Sequence, residues 1–162
     1  MLELHVAISF FGFLAGALVL AALVRGKHQP GWTAALVASS ALISLTGFFL
    51  DSPPGTPTPD PARIVGVLGL GVVAIAAFAL YVRHLTGAWR AIYVVSIVLT
   101  VYFNAFVAVV QAFLKVGFLH ELAPTAKEPP FLIAQLLTLA LFLAVCVVAL
   151  RRSPRRESVP AT

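Results

Sequence analysis

AIYVVSIVLTVYFNAFVAVVQAFL, residues 91–114, is a run of 24 residues with no Asp, Glu, Lys or Arg. A bilayer hydrocarbon core about 30 Å thick is crossed by roughly 20 apolar residues in a helix, so this stretch is long enough to span. Its apolar residues are continuous rather than alternating, which disfavours the strands of a membrane barrel. Four more uncharged runs flank it, at 4–24, 32–50, 64–82 and 131–150, of 21, 19, 19 and 20 residues. The expected fold is therefore all-α: an integral membrane bundle of five transmembrane helices over residues 1–150, followed by a basic tail at 151–162. Composition agrees, because the 162 residues are 60% apolar and 10% charged with a mean hydropathy of +1.01. A soluble domain carries about 45–50% apolar and about 25% charged residues, and that class is excluded.

Orientation follows from Lys and Arg, which accumulate in cytoplasmic loops. Alternate connections hold Arg25, Lys27, Arg83, Arg90, Arg151, Arg152, Arg155 and Arg156, eight in all, against three on the other side, Arg63, Lys115 and Lys127. This split predicts the N-terminus outside and the C-terminus inside. Trp32, Tyr81, Trp89 and Tyr93 fall at the inner ends of their spans, the headgroup level that amphipathic rings prefer. The first span lacks the basic n-region of a secretory signal peptide, since Glu3 precedes it and Arg25 and Lys27 follow, and it is expected to be retained. The net charge of +5 is mostly the cytoplasmic side of this topology, so no nucleic-acid partner is called for. The short inner connections, 25–31 and 83–90, predict antiparallel neighbours. The outer segment 51–61 carries five of the eleven prolines and is expected to be extended; Phe118 and Leu119 would prolong the fourth helix or lie along the interface.

In lipid, helix contacts are made by small residues and interior polar groups, so steps of three and four along each span mark the inward face. On the first, His5, Ser9, Gly12 and Gly16 share a sector, with GxxxG at 12–16; on the second, Thr33, Ser40, Ser44, Gly47 and Asp51 do so. The fourth aligns Thr100, Asn104, Gln111 and Lys115, and the fifth Gln135, Thr138 and Cys146; the third has Gly66, Gly69 and Gly71 and otherwise reads as a packing helix. Gly12, Gly16, Ser40, Ser44 and Gly47 are ordinary helix-packing positions. Asn104 is different, because an unpaired amide near the centre of a span costs several kcal/mol. Ser44, Thr138, water or a ligand are its expected partners.

Towards the outer ends, His5, Asp51, Gln111, Lys115 and Gln135 lie on inward stripes at similar depth, and with Asn104 they form the candidate polar pocket. Ionisable groups at membrane depth point to a functional site; Asp51 and Lys115 carry charges that can pair, and imidazole exchanges protons near neutrality. The alternative is that each marks a span boundary and snorkels to water. No catalytic residue, metal site or cofactor is expected. His5 and His120 are outer while His28 and His84 are inner, which raises haem b as a remote third option. The last two stand among Arg and Lys beyond the hydrocarbon, which counts against axial ligation. Cys146, the lone cysteine, rules out an intramolecular disulfide and a thiolate cage.

Leu45-Thr46-Gly47-Phe48-Phe49, Ala88-Trp89-Arg90-Ala91-Ile92-Tyr93-Val94-Val95, Asn104-Ala105-Phe106-Val107 and Gln111-Ala112-Phe113-Leu114-Lys115, with the later Leu122-Ala123-Pro124-Thr125 and Glu128-Pro129-Pro130-Phe131, are similar to stretches of a family of short, uncharacterised bacterial multi-spanning inner-membrane proteins. The resemblance covers most of the chain and implies a bacterial inner membrane; it implies no activity. The leading expectation is a non-enzymatic accessory or interaction subunit, with membrane lipids and other membrane subunits as partners. A small transporter or proton-linked carrier is the alternative, and a haem b redox protein the third.

Overall fold

The computed structural model describes residues 2–49 and 61–152. Its helices, in order, are α1 (Leu2–Val24), α2 (Pro30–Phe48), α3 (Pro61–Ala77) closed by a π-helical turn (Phe78–Val82), α4 (Trp89–Lys115), α5 (Gly117–Leu122) and α6 (Pro129–Arg152). No strand occurs among the described residues. Five of these helices are long and apolar enough to cross a membrane. They coincide with the five uncharged runs, begun two or three residues earlier where Pro supplies a first turn: α2, α3 and α6 all begin at a proline, whose missing N–H costs nothing there. Segment 51–60, with the expected extended prolines and Asp51, lies outside the described residues, as does 153–162 of the basic tail.

Helix ends follow local chemistry. α1 stops in a Schellman arrangement, with Gly26 N–H donating to Leu23 O at 2.9 Å and Lys27 N–H to Ala22 O at 2.9 Å. Gly26 carries φ +70, a value that a side chain resists. α4 ends at Val116, whose extended backbone (φ −92, ψ 112) breaks it from α5. Of the two fates open to Phe118 and Leu119, a prolonged fourth helix is therefore not realised, and they belong to the separate short α5. Before α6, Glu128 accepts hydrogen bonds from Thr125 Oγ1 at 2.8 Å and from the N–H of Lys127 at 3.0 Å, which closes the turn. The Thr125 hydroxyl bond, joined by the backbone N–H bonds, holds the Glu128 carboxyl below its usual range.

Helices α1, α2, α3 and α4 form a ring in which each packs on the next and α4 closes back onto α1, while α6 lies on the α1–α4 seam. The short connections at 25–29 and 83–88 enforce this antiparallel order. Close approach at two glycines sets the spacing. A Cβ at Gly12 would stand 3.0 Å from Ser39 Oγ of α2, and one at Gly16 would stand 2.9 Å from a Val101 methyl of α4. Packing is uneven along the ring axis. The core cluster of Ala15, Val19, Leu23, Leu36, Ala76, Ala79, Tyr93, Val94, Ile97, Val98, Val101 and Ala149 gathers in the half nearest the arginine-rich end. Outward, α6 presents Leu132, Ile133, Leu136, Leu137, Leu141 and Leu143, each at least half exposed, as a lipid-facing helix is expected to do.

Overpacking at the α1–α4 contact gives a direct check. Gly16→Val should lower stability by about 1–3 kcal/mol, whereas Gly71→Val, at a site with open space around it, should change little. Thermal unfolding in detergent measures both, and the Gly16→Val loss should shrink when combined with Val101→Ala.

Candidate functional site

The polar side chains of the ring fall into two groups separated along its axis. Nearest the arginine-rich end, Thr33 at the start of α2 and Tyr93 in the first turns of α4 are buried, and their hydroxyls meet at 3.1 Å. Tyr93 OH also lies 3.4 Å from Nδ1 of His28 in the α1–α2 connection, and the two rings stack edge to face at 5.7 Å. With one hydrogen for two neighbours, the phenol donates to one and accepts from the other. A shallow depression of about 460 Å³ lined by His28, Gln29, Pro30, Gly31, Trp32 and Ala35 opens beside this group. Partial desolvation of the ring, whose residue is otherwise exposed, pushes the His28 imidazole below its ordinary value of 6.5.

Above it, fully buried Leu36 and Ile97 seal the ring. Beyond this apolar layer, Asn104 Nδ2–H donates to Ser40 Oγ at 3.4 Å, across the diagonal from α4 to α2. Asn104 thus finds its partner in Ser40, not in Ser44 or Thr138. Thr138 turns its hydroxyl back onto Ala134 O at 2.8 Å within α6, and Ser44 Oγ instead borders Gly69 of α3, at 3.6 Å from where a Cβ would stand. Nearer the far end, His5 Nδ1 is 2.8 Å from Thr46 Oγ1. Since that hydroxyl gives its hydrogen to Leu42 O at 2.7 Å, it accepts from Nδ1–H, and Nε2 remains the basic nitrogen. Gly47 passes beside the same ring, its Cβ position 3.8 Å from His5 Cε1.

Of the candidate pocket residues, His5 and Asn104 are half-buried and bonded into the ring, whereas Gln135 is half-buried on α6 and donates from Nε2 to Phe106 O at 3.3 Å. Its Oε1 is buried with no partner among the described residues. Gln111 and Lys115 correct the sequence reading: both are exposed rather than turned into the bundle. The reason is the face they share: Phe113, in the same turn, is buried and meets Phe131 of α6 at 5.4 Å, so α4 still packs there, while Gln111 and Lys115, four residues apart, lie on the side turned away. Asp51 lies outside the described residues. Gly12 and Gly16 are buried at helix contacts and Ser40 is buried beneath Asn104, while Ser44 and Gly47 are half-buried.

Tyr93 is a second correction. The sequence places it among the headgroup anchors, with Trp32, Tyr81 and Trp89, yet it is 2% exposed and a member of the core. Trp32 and Tyr81 are exposed, and Trp89 packs on Phe78 at 5.1 Å with the Arg83 guanidinium 5.3 Å over its ring. A signal for Tyr93 existed: it stands seven residues before Thr100, on the stripe that continues to Asn104. His84 and His120 are exposed, the first on a turn at φ 48 and the second on α5.

This all-helical bundle of five membrane-length helices, with one polar group at each end of a sealed ring, is a membrane-protein architecture. No family model, curated protein or solved structure matches the chain.

Tyr93→Phe should cost about 1–2 kcal/mol, as it deprives buried Thr33 of its partner, and Asn104→Leu only about 0.6 kcal/mol, the average for a hydrogen bond between membrane helices. Urea or thermal unfolding in detergent orders the two. The His28 stabilisation has a definite sign: the neutral ring is favoured in the fold, so stability is full above pH 6.5 and is lost as pH falls through the lower folded value. Melting curves from about pH 8 to about pH 5 should fall more steeply for wild type than for His28→Gln.

Proposed function

We propose that the chain is a non-enzymatic accessory or interaction subunit of a bacterial inner membrane, with its N-terminus outside and its basic C-terminal end inside. The observation that carries this reading is the contrast between the ring's interior and the far end of α4. Inside, the polar side chains close on each other as Thr33 with Tyr93, Ser40 with Asn104 and His5 with Thr46. At the far end, the Gln111 amide and the Lys115 ammonium stand exposed on the last turns of α4. Amide and ammonium donors at the headgroup level suit a polar patch on a neighbouring membrane protein, and the apolar flank of α6 suits lateral contact within the plane.

A photo-crosslinker at Gln111 should give one discrete adduct with a second membrane protein in cells, and a crosslinker at lipid-facing Leu143 should give lipid adducts alone. Lipid adducts at both positions would overturn the reading. A reporter fused at Thr162 should be active in the cytoplasm, which checks the orientation separately.

A small transporter or proton-linked carrier is the second reading. It is supported by the placement of an imidazole at either end of the ring, His5 and His28, with the Leu36 and Ile97 layer between them. Liposome flux should then fall in Lys115→Ala and Asp51→Asn; unchanged flux in both counts against a carrier.

A further inference from the structure

We infer that the seam between the C-terminal ends of α1 and α6 is a binding site for one anionic phospholipid headgroup. Two segments more than a hundred residues apart are brought into contact there: a Cβ at Gly26 would stand 2.8 Å from the Arg152 carbonyl oxygen. The Schellman turn fixes Arg25 and Lys27 on either side of that glycine, and Arg151 and Arg152 are the last residues of α6. Four exposed cationic residues therefore stem from backbone brought together at one place on the bundle surface.

Helix dipoles account for part of this charge and not the rest. Each helix C-terminus carries about half a negative charge, so two of them offset about one of the four cations. An excess of about three positive charges remains. The described carboxylates, Glu3, Glu121 and Glu128, all belong to the opposite end of the bundle, at the start of α1, on α5 and before α6. A phosphodiester supplies the missing negative charge, and Arg binds it with paired N–H donors. Exposed Ala21 on α1 and Val147 and Val148 on α6 stand about four residues, one helical turn, below the cations, on the acyl-chain side. A lipid satisfies both requirements, and basic pockets between spans are known to hold such headgroups. The site is independent of the accessory-subunit reading.

The test is native mass spectrometry of the full chain in detergent with phosphatidylglycerol or phosphatidylcholine added. Wild type should retain one phosphatidylglycerol in preference to phosphatidylcholine. Arg25→Gln with Lys27→Gln, and separately Arg151→Gln with Arg152→Gln, should each weaken that retention about thirtyfold, from roughly fivefold per cation at the surface. Arg83→Gln with Arg90→Gln removes the same charge from the same end of the bundle at a different connection and should leave retention unchanged. Equal loss in this control would show diffuse attraction to a basic face and overturn the site, as would equal retention of the two lipids. Displacement of the lipid by millimolar glycerol phosphate would also overturn it, since the site would then take a free phosphate.

Discussion

The ring depends on how near α1 lies to its neighbours. In hydrocarbon, apolar surfaces gain nothing by leaving lipid for each other, so contacts rest on van der Waals packing and on polar groups that need shelter. Gly12 and Gly16 provide the first, allowing Ser39 and Val101 within 3.0 Å of where a Cβ would be. That closeness draws the ring tight enough for α2 and α4, which face each other across the diagonal, to be bridged by Thr33 with Tyr93 and by Ser40 with Asn104. A backbone that must satisfy its own hydrogen bonds leaves only helices as building blocks. The side chains then decide how far apart those helices stand.

Span positions were legible because a length near 20 uncharged residues is imposed by the bilayer, independently of any tertiary detail. Inward faces were legible for α1 and α2, where Gly12, Gly16, Thr33 and Ser40 share stripes and are buried. Partners were not. A stripe states which face a residue occupies but not the axial offset between two helices, and a shift of about one turn, about 5.4 Å, is what separates Ser40 from Ser44 as the neighbour of Asn104. The stripe on α4 also overreached. It carried Gln111 inward by periodicity alone, whereas in the last turns the buried side of α4 is the one that carries Phe113, packed on Phe131 of α6.

Tyr93 shows a different limit. Amphipathic rings near span ends do prefer headgroups, and Trp32 and Tyr81 fit that rule. The same position along a helix can face the ring instead, and then a phenol needs a partner for its hydroxyl. Thr33 and His28 are those partners, 60 and 65 residues earlier in sequence and reached across the ring. Periodicity would have placed Tyr93 above Thr100 had depth not been weighed first.

The two halves of the bundle are consequently built on different principles. At the arginine-rich end, short connections, a Schellman turn and a buried phenol hold four helices and the end of α6 in a dense cluster. Towards the other end the same helices carry half-buried polar groups, and the Gln135 carbonyl oxygen lacks a donor among the described residues. Polar groups in a low-dielectric surround bind a new partner more strongly than they would in water, so an end left incompletely sealed is the one where an added group gains most. The dense end, by contrast, offers charge on a rigid frame. Because the Schellman turn and the Gly26–Arg152 approach hold the backbone of Arg25, Lys27, Arg151 and Arg152 in place, an anionic headgroup meeting them has only side chains to order, unlike the same number of basic residues spread along flexible loops.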